Sequence, residues 1–166
     1  RGVSEVYIVD IMEKRLEKAL ELGADKAING ARESVEDRIR ELTDGKGADL
    51  VIETAGTEIT TRQAVSIAKK GSNIVLVGYS KTGKMTLPMS LVLDKELTFK
   101  TVFRYRHIYP MAIEAVSQGK VNLKGIVTDI FDLDDVQKAM DYSVNNKADI
   151  VKAVIRICAD DEESRG

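Results

Sequence analysis

The chain has 166 residues, 43% hydrophobic and 31% charged, so it can bury the core of one ordinary globular domain. Its formal net charge of -2, with acids and bases interspersed, predicts no nucleic-acid partner. Its apolar runs are too short to cross a bilayer, and one cysteine, Cys158, excludes a disulfide framework. We therefore expect a cytoplasmic protein without a membrane partner.

Strand and helix patterns alternate from the start of the chain. The strand EVYIVD ends at Asp10, and the helix after it has an apolar stripe that includes Leu16 and ends at Gly23. Next come a strand at 26–29, a helix from Ser34 to Leu42 and the buried strand of ADLVIETAG. A helix at 59–70 is expected to end with two lysines and Gly71. NIVLVG is apolar on both faces, as in a central parallel strand.

The second half continues the alternation. ELTFKTVF alternates in polarity and predicts a strand near the sheet edge, and a helix is expected from Pro110 to Gln118. A strand in GIVTDIF, a helix at 133–144 and a strand in DIVKAVIRI complete the pattern. Such βαβ alternation predicts an α/β fold with a doubly wound parallel sheet of the Rossmann type.

Asp10 is the first candidate for cofactor binding. An acid at the end of the second strand of this fold accepts hydrogen bonds from the adenosine ribose, about 20 residues after a glycine-rich turn. That turn would fall roughly ten residues before Arg1, so we expect a fragment that lacks the first strand, the glycine loop and most of the first helix. Alternatively, Asp10 and Glu13 form a capping-box variant, and both roles can hold together. Arg15 could reach the adenosine end or lie on a solvated helix face.

Two strand ends are further candidates, because ligands of open α/β sheets bind beyond the carboxyl ends of strands. Small residues there let a dinucleotide approach the backbone. The candidates are Thr54, Ala55 and Gly56 after one strand, and Val77, Gly78 and Tyr79 after the next. Asp10 would repel a 2′-phosphate, which favours NAD over its phosphorylated form.

The sequence contains no metal-binding or nucleophilic constellation. His107 is the only histidine and Cys158 the only cysteine, whereas a zinc site needs three or four ligands. No GxSxG motif is present. We therefore assign no catalytic residue and no metal ligand to this chain.

The ordered segments of the chain resemble the C-terminal half of medium-chain zinc-dependent alcohol and polyol dehydrogenases. These segments are EVYIVD, LGADKAING, TDGKGADLVIETAG, GSNIVLVGYS, LVLDKELTFKTVFRY, YPMAIEAVSQGKV, IVTDIFDLDDVQKAMDYS and KADIVKAVIRI. Only the last eight residues lie outside this resemblance. Six residues resemble the sorbitol (L-iditol) and xylitol dehydrogenase branch: Phe103, Arg104, Tyr105, Pro110, Ala112 and Ile113.

The resemblance implies roles for individual residues. Asp10 and Arg15 match the ribose-binding acid and its partner arginine, and the segment 77–79 matches the lining of the nicotinamide half. Val102, Phe103 and Arg104 match a second cofactor-lining segment, and Arg104 and Tyr105 match residues that face the polyol. The alternative for Phe103–Tyr105 is an edge-strand terminus with a surface arginine. The implied cofactors are NAD and, in the intact parent, zinc held by ligands outside this chain.

The resemblance also implies a domain organisation. Residues 1–121 would form a partial NAD-binding Rossmann domain, residues 122–158 a strand–helix–strand of the catalytic domain, and residues 159–166 a disordered tail. The parent would oxidise a secondary alcohol such as a polyol to a ketone by hydride transfer. Alternatives are a butanediol or threonine type of dehydrogenase, or a non-catalytic α/β binding module.

We expect the fragment alone to be inactive and to bind NAD weakly, because the missing loop would hold the pyrophosphate. Without the missing central strand, two inner strand edges would be unpaired. We also expect a homo-oligomer formed through the edge strand near 96–103.

Overall fold

The computed structural model describes residues 3–105 and 107–158, which form an α/β protein with parallel strands, as predicted. The chain divides into two compact units. One contains the residues up to Asn29 together with those from Tyr109 onward, and the other is Gly30–Ile108. The predicted tail at 159–166 lies outside the described residues. Within the described ranges, no helix is long and apolar enough to cross a membrane.

The first 29 residues contribute one βαβ crossover. Strand β1, Tyr7–Asp10, pairs in parallel with β2, Lys26–Asn29. Helix α1, Glu13–Glu21, connects them and buries Leu16. Gly23 follows the helix with φ of 100°, a left-handed conformation that favours glycine and confirms the predicted helix end.

The unit Gly30–Ile108 is a three-stranded parallel sheet with its own helices. Its elements are α2 Val35–Leu42, β3 Ala48–Glu53, α3 Glu58–Ile67, β4 Ala68–Leu76, α4 Met89–Asp94 and β5 Thr98–Thr101. The strand order β3-β4-β5 confirms β4 as the predicted central strand, and β5 lies at an edge of the described sheet.

The core of this unit lies against β4. Val65 of α3 and Ile74 of β4 are fully buried, and Val51 and Val92 pack in the same cluster. Burying a side chain of this size stabilises the fold by about 1.5–3 kcal/mol. The core therefore fixes α3 and α4 against the sheet.

The predicted end of α3 is wrong. The helix ends at Ile67, and the segment Lys69–Gly71, expected to terminate it, lies within β4. Ala68 pairs with Ala48 of β3, so the backbone enters the sheet immediately after the helix. Helix α4, which was not predicted, follows Pro88.

The chain from Tyr109 onward contains α5, Tyr109–Ser117, and then a strand–helix–strand. Strand β6, Asp129–Asp132, pairs in parallel with β7, Ala153–Arg156, and α6, Val136–Asn145, connects them. This confirms the predicted order of elements. The last helix begins three residues later than expected, because Leu133–Asp135 forms a 3₁₀ turn.

Among the described strands, only β4 has two partners. β1 pairs only with β2, and β3 pairs only with β4. Apolar side chains on them are exposed: Val9 by 39%, Leu50 by 50% and Ile52 by 59%. Each strand therefore retains an edge that can accept another strand.

Candidate functional site

Three segments follow the carboxyl ends of β3, β4 and β5. Parallel strands point the same way, so their carboxyl ends lie at one edge of the sheet, where ligands of α/β proteins bind. Thr54–Gly56 follow β3, Val77–Tyr79 follow β4, and Val102–Arg104 follow β5. Nine of the sequence-predicted site residues therefore share one edge of the Gly30–Ile108 unit.

The first two segments touch through their glycines. A Cβ on Gly78 would lie 2.1 Å from the backbone nitrogen of Gly56 and 2.6 Å from its Cα. A Cβ on Gly56 would lie 2.6 Å from the backbone N and O of Tyr79, and Gly56 itself has φ of 66°. We call these two touching turns, Thr54–Gly56 and Val77–Tyr79, the glycine floor.

Glu53, the last residue of β3, contacts both turns of the glycine floor. It was not among the predicted site residues. It is 4% exposed, and its Oε1 accepts hydrogen bonds from the backbone N–H groups of Ala55 and Gly56, both at 2.9 Å. The hydroxyl of Thr60 donates to the same oxygen at 2.8 Å. A signal was available, because Glu53 ends an apolar strand and precedes small residues, as Asp10 ends EVYIVD.

Aromatic side chains flank the glycine floor. The ring centroids of Tyr79 and Phe103 lie 6.4 Å apart, and the rings are inclined by 43°. The guanidinium carbon of Arg104 lies 5.0 Å from the centroid of Phe103, within the range of a cation–π contact. Tyr79, Phe103 and Tyr105 are 79%, 69% and 62% exposed, so apolar surface is available to a ligand.

Arg104 has a strained backbone. Its φ of 60° places a bulky residue in the left-handed region, which costs of order 1–3 kcal/mol and is found preferentially at functional sites. Val102, two residues earlier, still donates its N–H to Leu76 O at 3.0 Å. The chain therefore leaves the sheet at Phe103 and turns sharply at Arg104, where its side chain lies over the preceding ring.

Asp10 and Arg15 lie in the other unit, at the end of β1 and on α1. Oδ1 of Asp10 accepts hydrogen bonds from the N–H groups of Ile11 at 2.7 Å and Met12 at 2.9 Å. Oδ2 lies 3.7 Å from Nη1 of Arg15, which forms an ion pair with it. The acid and the arginine that the sequence placed together are thus neighbours in the structure, and both side chains are partly exposed.

The predicted capping box is wrong. Met12 is the N-cap of α1 and makes no side-chain cap, and Glu13 instead accepts a hydrogen bond from Asn29 Nδ2 at 2.9 Å. Asp10 precedes the cap by two residues, so its carboxylate binds the N–H groups of the turn before the helix. This arrangement leaves Oδ2 directed to Arg15 alone among its described contacts.

The described residues include no group of three or more histidine, cysteine, aspartate or glutamate side chains that could hold a metal. Cys158 is a free, exposed cysteine. The donor set of a zinc site is therefore not assembled within residues 3–105 and 107–158.

Comparison with known proteins identifies related enzymes. The profile of the zinc-binding dehydrogenase family matches residues 1–118. The uncharacterized zinc-type alcohol dehydrogenase-like protein YdjJ of Escherichia coli K12 is 45% identical over 156 residues, which cover 94% of this chain and 44% of that protein. Sorbitol dehydrogenase of Bacillus subtilis 168 is 29% identical over 154 residues, covering 93% of this chain and 44% of that enzyme.

Solved structures show the same fold. An oxidoreductase/dehydrogenase of unknown specificity from Escherichia coli is 44% identical, with a TM-score of 0.88, and the match covers 95% of this chain and 45% of that one. An alcohol dehydrogenase from Escherichia coli CFT073, in complex with NADH, is 26% identical, with a TM-score of 0.85 and coverage of 94% and 45%. The chain thus spans less than half the length of these relatives. Since the family profile extends over residues 1–118 of 166, the chain belongs to the zinc-binding dehydrogenase family.

Proposed function

We propose that the full-length protein is an NAD-dependent and zinc-dependent polyol dehydrogenase that oxidises a secondary alcohol to a ketone by hydride transfer. The observation that carries this proposal is the glycine floor, flanked by Phe103 and Arg104 at one edge of a parallel sheet. Family membership and the similarity to sorbitol dehydrogenase support it. In this proposal, residues 1–121 bind the cofactor and residues 122–158 belong to the catalytic domain.

The residues present fit the adenosine end of NAD. Oδ2 of Asp10 can accept hydrogen bonds from ribose hydroxyls, because its partner Oδ1 already holds the turn at Ile11 and Met12. The carboxylate of Asp10 would repel a 2′-phosphate, and Arg15 lies beside it as an ion-pair partner. NAD is therefore the preferred form, and its complex with a structural relative supports this choice.

The glycine floor fits the other half of the cofactor. Neither Gly56 nor Gly78 presents a side chain, so a flat ligand can approach the backbone of both turns. Val77, Val102 and Phe103 are at least 43% exposed and supply apolar cover. When bound, the nicotinamide of NAD accepts the hydride of the alcohol carbon.

Arg104 and Tyr105 face the substrate in this proposal. The guanidinium of Arg104 offers several fixed donors for polyol hydroxyls, and its position over Phe103 limits its movement. The zinc implied by the family has its ligands outside this chain. We also propose that the protein is cytoplasmic and that it forms a homo-oligomer through β5.

Two measurements on the full-length protein test the function. Fluorescence titration should show tighter binding of NADH than of NADPH, and Asp10→Ala should weaken NADH binding by about 1–3 kcal/mol, the cost of a lost charged hydrogen-bond acceptor. A panel of sorbitol, xylitol, butanediol and threonine should show turnover with a polyol. Turnover only with butanediol or threonine would overturn the substrate class, and turnover with no alcohol would favour a non-catalytic binding module.

A further inference from the structure

Glu53 contacts both turns of the glycine floor. We infer that Glu53 is a positioning residue that fixes the turn Thr54–Gly56 against the turn Val77–Tyr79, and so sets the surface on which the cofactor lies. This inference rests on the proposed NAD site. Glu53 itself is 4% exposed and lies below the floor, so it acts through the two turns without touching the cofactor.

The side chain of Glu53 holds the first turn. Its Oε1 accepts two backbone N–H groups of that turn, those of Ala55 and Gly56, at 2.9 Å each. The third donor is the hydroxyl of Thr60, in the first turn of α3, at 2.8 Å. One carboxylate oxygen therefore ties the loop after β3 to the start of the next helix.

The main chain of Glu53 holds the second turn. Its carbonyl oxygen accepts hydrogen bonds from the N–H groups of Val77 at 2.8 Å and Gly78 at 3.0 Å. The regular pairing of β3 with β4 ends at Glu53 and Leu76, so these bonds extend the contact of the two strands into the loops. The same residue thus binds both turns by different groups.

The second carboxylate oxygen of Glu53 shows a cost that a residue serving only to fill the core would not carry. Oε2 is buried and has no hydrogen-bond partner among the described residues. A Cβ on Gly78 would lie 2.7 Å from it, so the second turn passes directly over this oxygen. An apolar side chain would avoid the cost of burying a carboxylate, but it would leave the N–H groups of Ala55 and Gly56 without their acceptor.

Four variants of the full-length protein test the inference. Glu53→Gln keeps an acceptor oxygen at the same distance from the backbone, whereas Glu53→Asp keeps the charge but shortens the side chain. Glu53→Ala removes the acceptor. Val51→Ala is the matched control, because Val51 is buried on the same strand but contributes no hydrogen bond to either turn.

Two quantities are measured at a temperature at which circular dichroism shows all four variants folded. The first is amide hydrogen exchange in the peptide spanning residues 53–60, without cofactor. The second is the dissociation constant for NADH. We expect Glu53→Ala and Glu53→Asp to exchange faster, because the turn loses its acceptor and opens more often. We also expect both variants to bind NADH about tenfold or more weakly, because the turn no longer holds the binding surface in place. Glu53→Gln should restore both quantities to within about threefold of wild type, because it keeps the geometry of the acceptor.

The possible failures are distinguishable. If the wild-type protein does not bind NADH, the proposed function is wrong, whereas exchange at 53–60 still shows whether Glu53 fixes the turn. Unchanged exchange in Glu53→Ala would overturn the positioning role. If Glu53→Ala and Val51→Ala have equal effects on exchange or on NADH binding, Glu53 contributes only to stability. That result would also overturn the positioning role.

Discussion

Position 78 requires glycine because of its neighbour and not because of its own backbone angle. An added Cβ would collide with the backbone of Gly56, which cannot move aside as a flexible side chain could. We therefore expect Gly78→Ala to lower the free energy of unfolding by at least about 1–3 kcal/mol, as overpacking does, and to weaken NADH binding. Urea unfolding and NADH titration of the full-length protein measure the two effects.

Gly83→Ala is the control for this change. Gly83 has φ of 68°, but an added Cβ there would meet nothing within 4 Å. It should lose only the roughly 1–2 kcal/mol that an L-residue costs in the left-handed region, with no change in NADH affinity. Equal losses of NADH affinity in the two variants would contradict the assignment of Gly78 to the binding surface.

Lys95 binds carbonyl groups at the C-terminal end of α3. Its Nζ donates to the carbonyl oxygens of Val65 at 3.0 Å, Ser66 at 2.7 Å and Ala68 at 2.8 Å. Lys95→Met would keep most of the apolar stem but leave these carbonyls without a donor, so we expect a loss of about 1–3 kcal/mol in urea unfolding. Lys81→Met, at an exposed loop position, should change stability by less than about 0.5 kcal/mol. If Lys95→Met does not change the free energy of unfolding, water satisfies these carbonyls equally well.

At the scale of elements, α2 has a side-chain cap, and we expect its contribution to stability to depend on pH. Ser34 Oγ accepts the N–H of Asp37 at 3.2 Å, and hydrogen bonds from Ser34 and then Arg40 lower the pKa of the Asp37 carboxyl. A folded-state pKa below the unfolded value stabilises the protein above the unfolded pKa, and that stabilisation is lost as the pH falls through the folded pKa.

Ser34→Ala removes the N-cap hydrogen bond and should cost about 1 kcal/mol at pH 7, as the loss of an N-cap usually does. The difference from wild type should shrink in acid, where Asp37 is protonated in both proteins. Urea unfolding at pH 7 and in acid measures the difference in stability between the two proteins. Ser90→Ala, on the exposed face of α4, is the control. A difference that does not change with pH would remove Asp37 from the explanation.

Periodicity and turn residues predicted most elements, and long-range contacts explain the failures. Two lysines and Gly71 resemble a helix end, yet these residues belong to β4. The acceptor groups at the true end of α3 are satisfied by Lys95, about 30 residues away, which no local pattern reveals. The capping box failed because local spacing does not fix where a helix begins: Asp10 lies two residues before the observed N-cap.

Part of the candidate site was predictable from the sequence. Carboxyl ends of parallel strands meet at one edge, so the segments after β3, β4 and β5 could be grouped from sequence. The position of Glu53 at a strand end is visible in the sequence, but its role at both turns is not, because that role depends on the contact of Gly56 with Gly78, two residues far apart in the chain. The roles of Asp10, Arg15 and the three segments in binding stay predictions.

At the scale of the whole molecule, β1 and β3 each retain an edge without a partner among the described strands. Exposed apolar residues on them, Val9, Leu50 and Ile52, would favour pairing with other chains. We expect the 166-residue chain, expressed by itself, to self-associate in size-exclusion chromatography. A monomer that unfolds cooperatively would contradict this.

The same chain should also bind NAD far more weakly than the full-length protein and should be inactive. Among the described residues, no glycine-rich turn precedes Asp10 to hold the pyrophosphate, which contributes much of dinucleotide affinity. Isothermal titration calorimetry of both proteins measures the difference. Micromolar NAD binding by the 166-residue chain would show that the strand ends and Asp10 suffice.

The contact of Gly56 with Gly78 involves backbone atoms alone. Neither glycine has a rotamer to be frozen when a ligand settles on it, so the entropy that side chains lose on ordering is not lost at these two positions. Phe103 and Arg104, by contrast, have rotatable side chains whose torsions a bound ligand would restrict. Changes that retune substrate choice are therefore best made at Phe103 and Arg104, while the two glycines remain as a fixed reference surface.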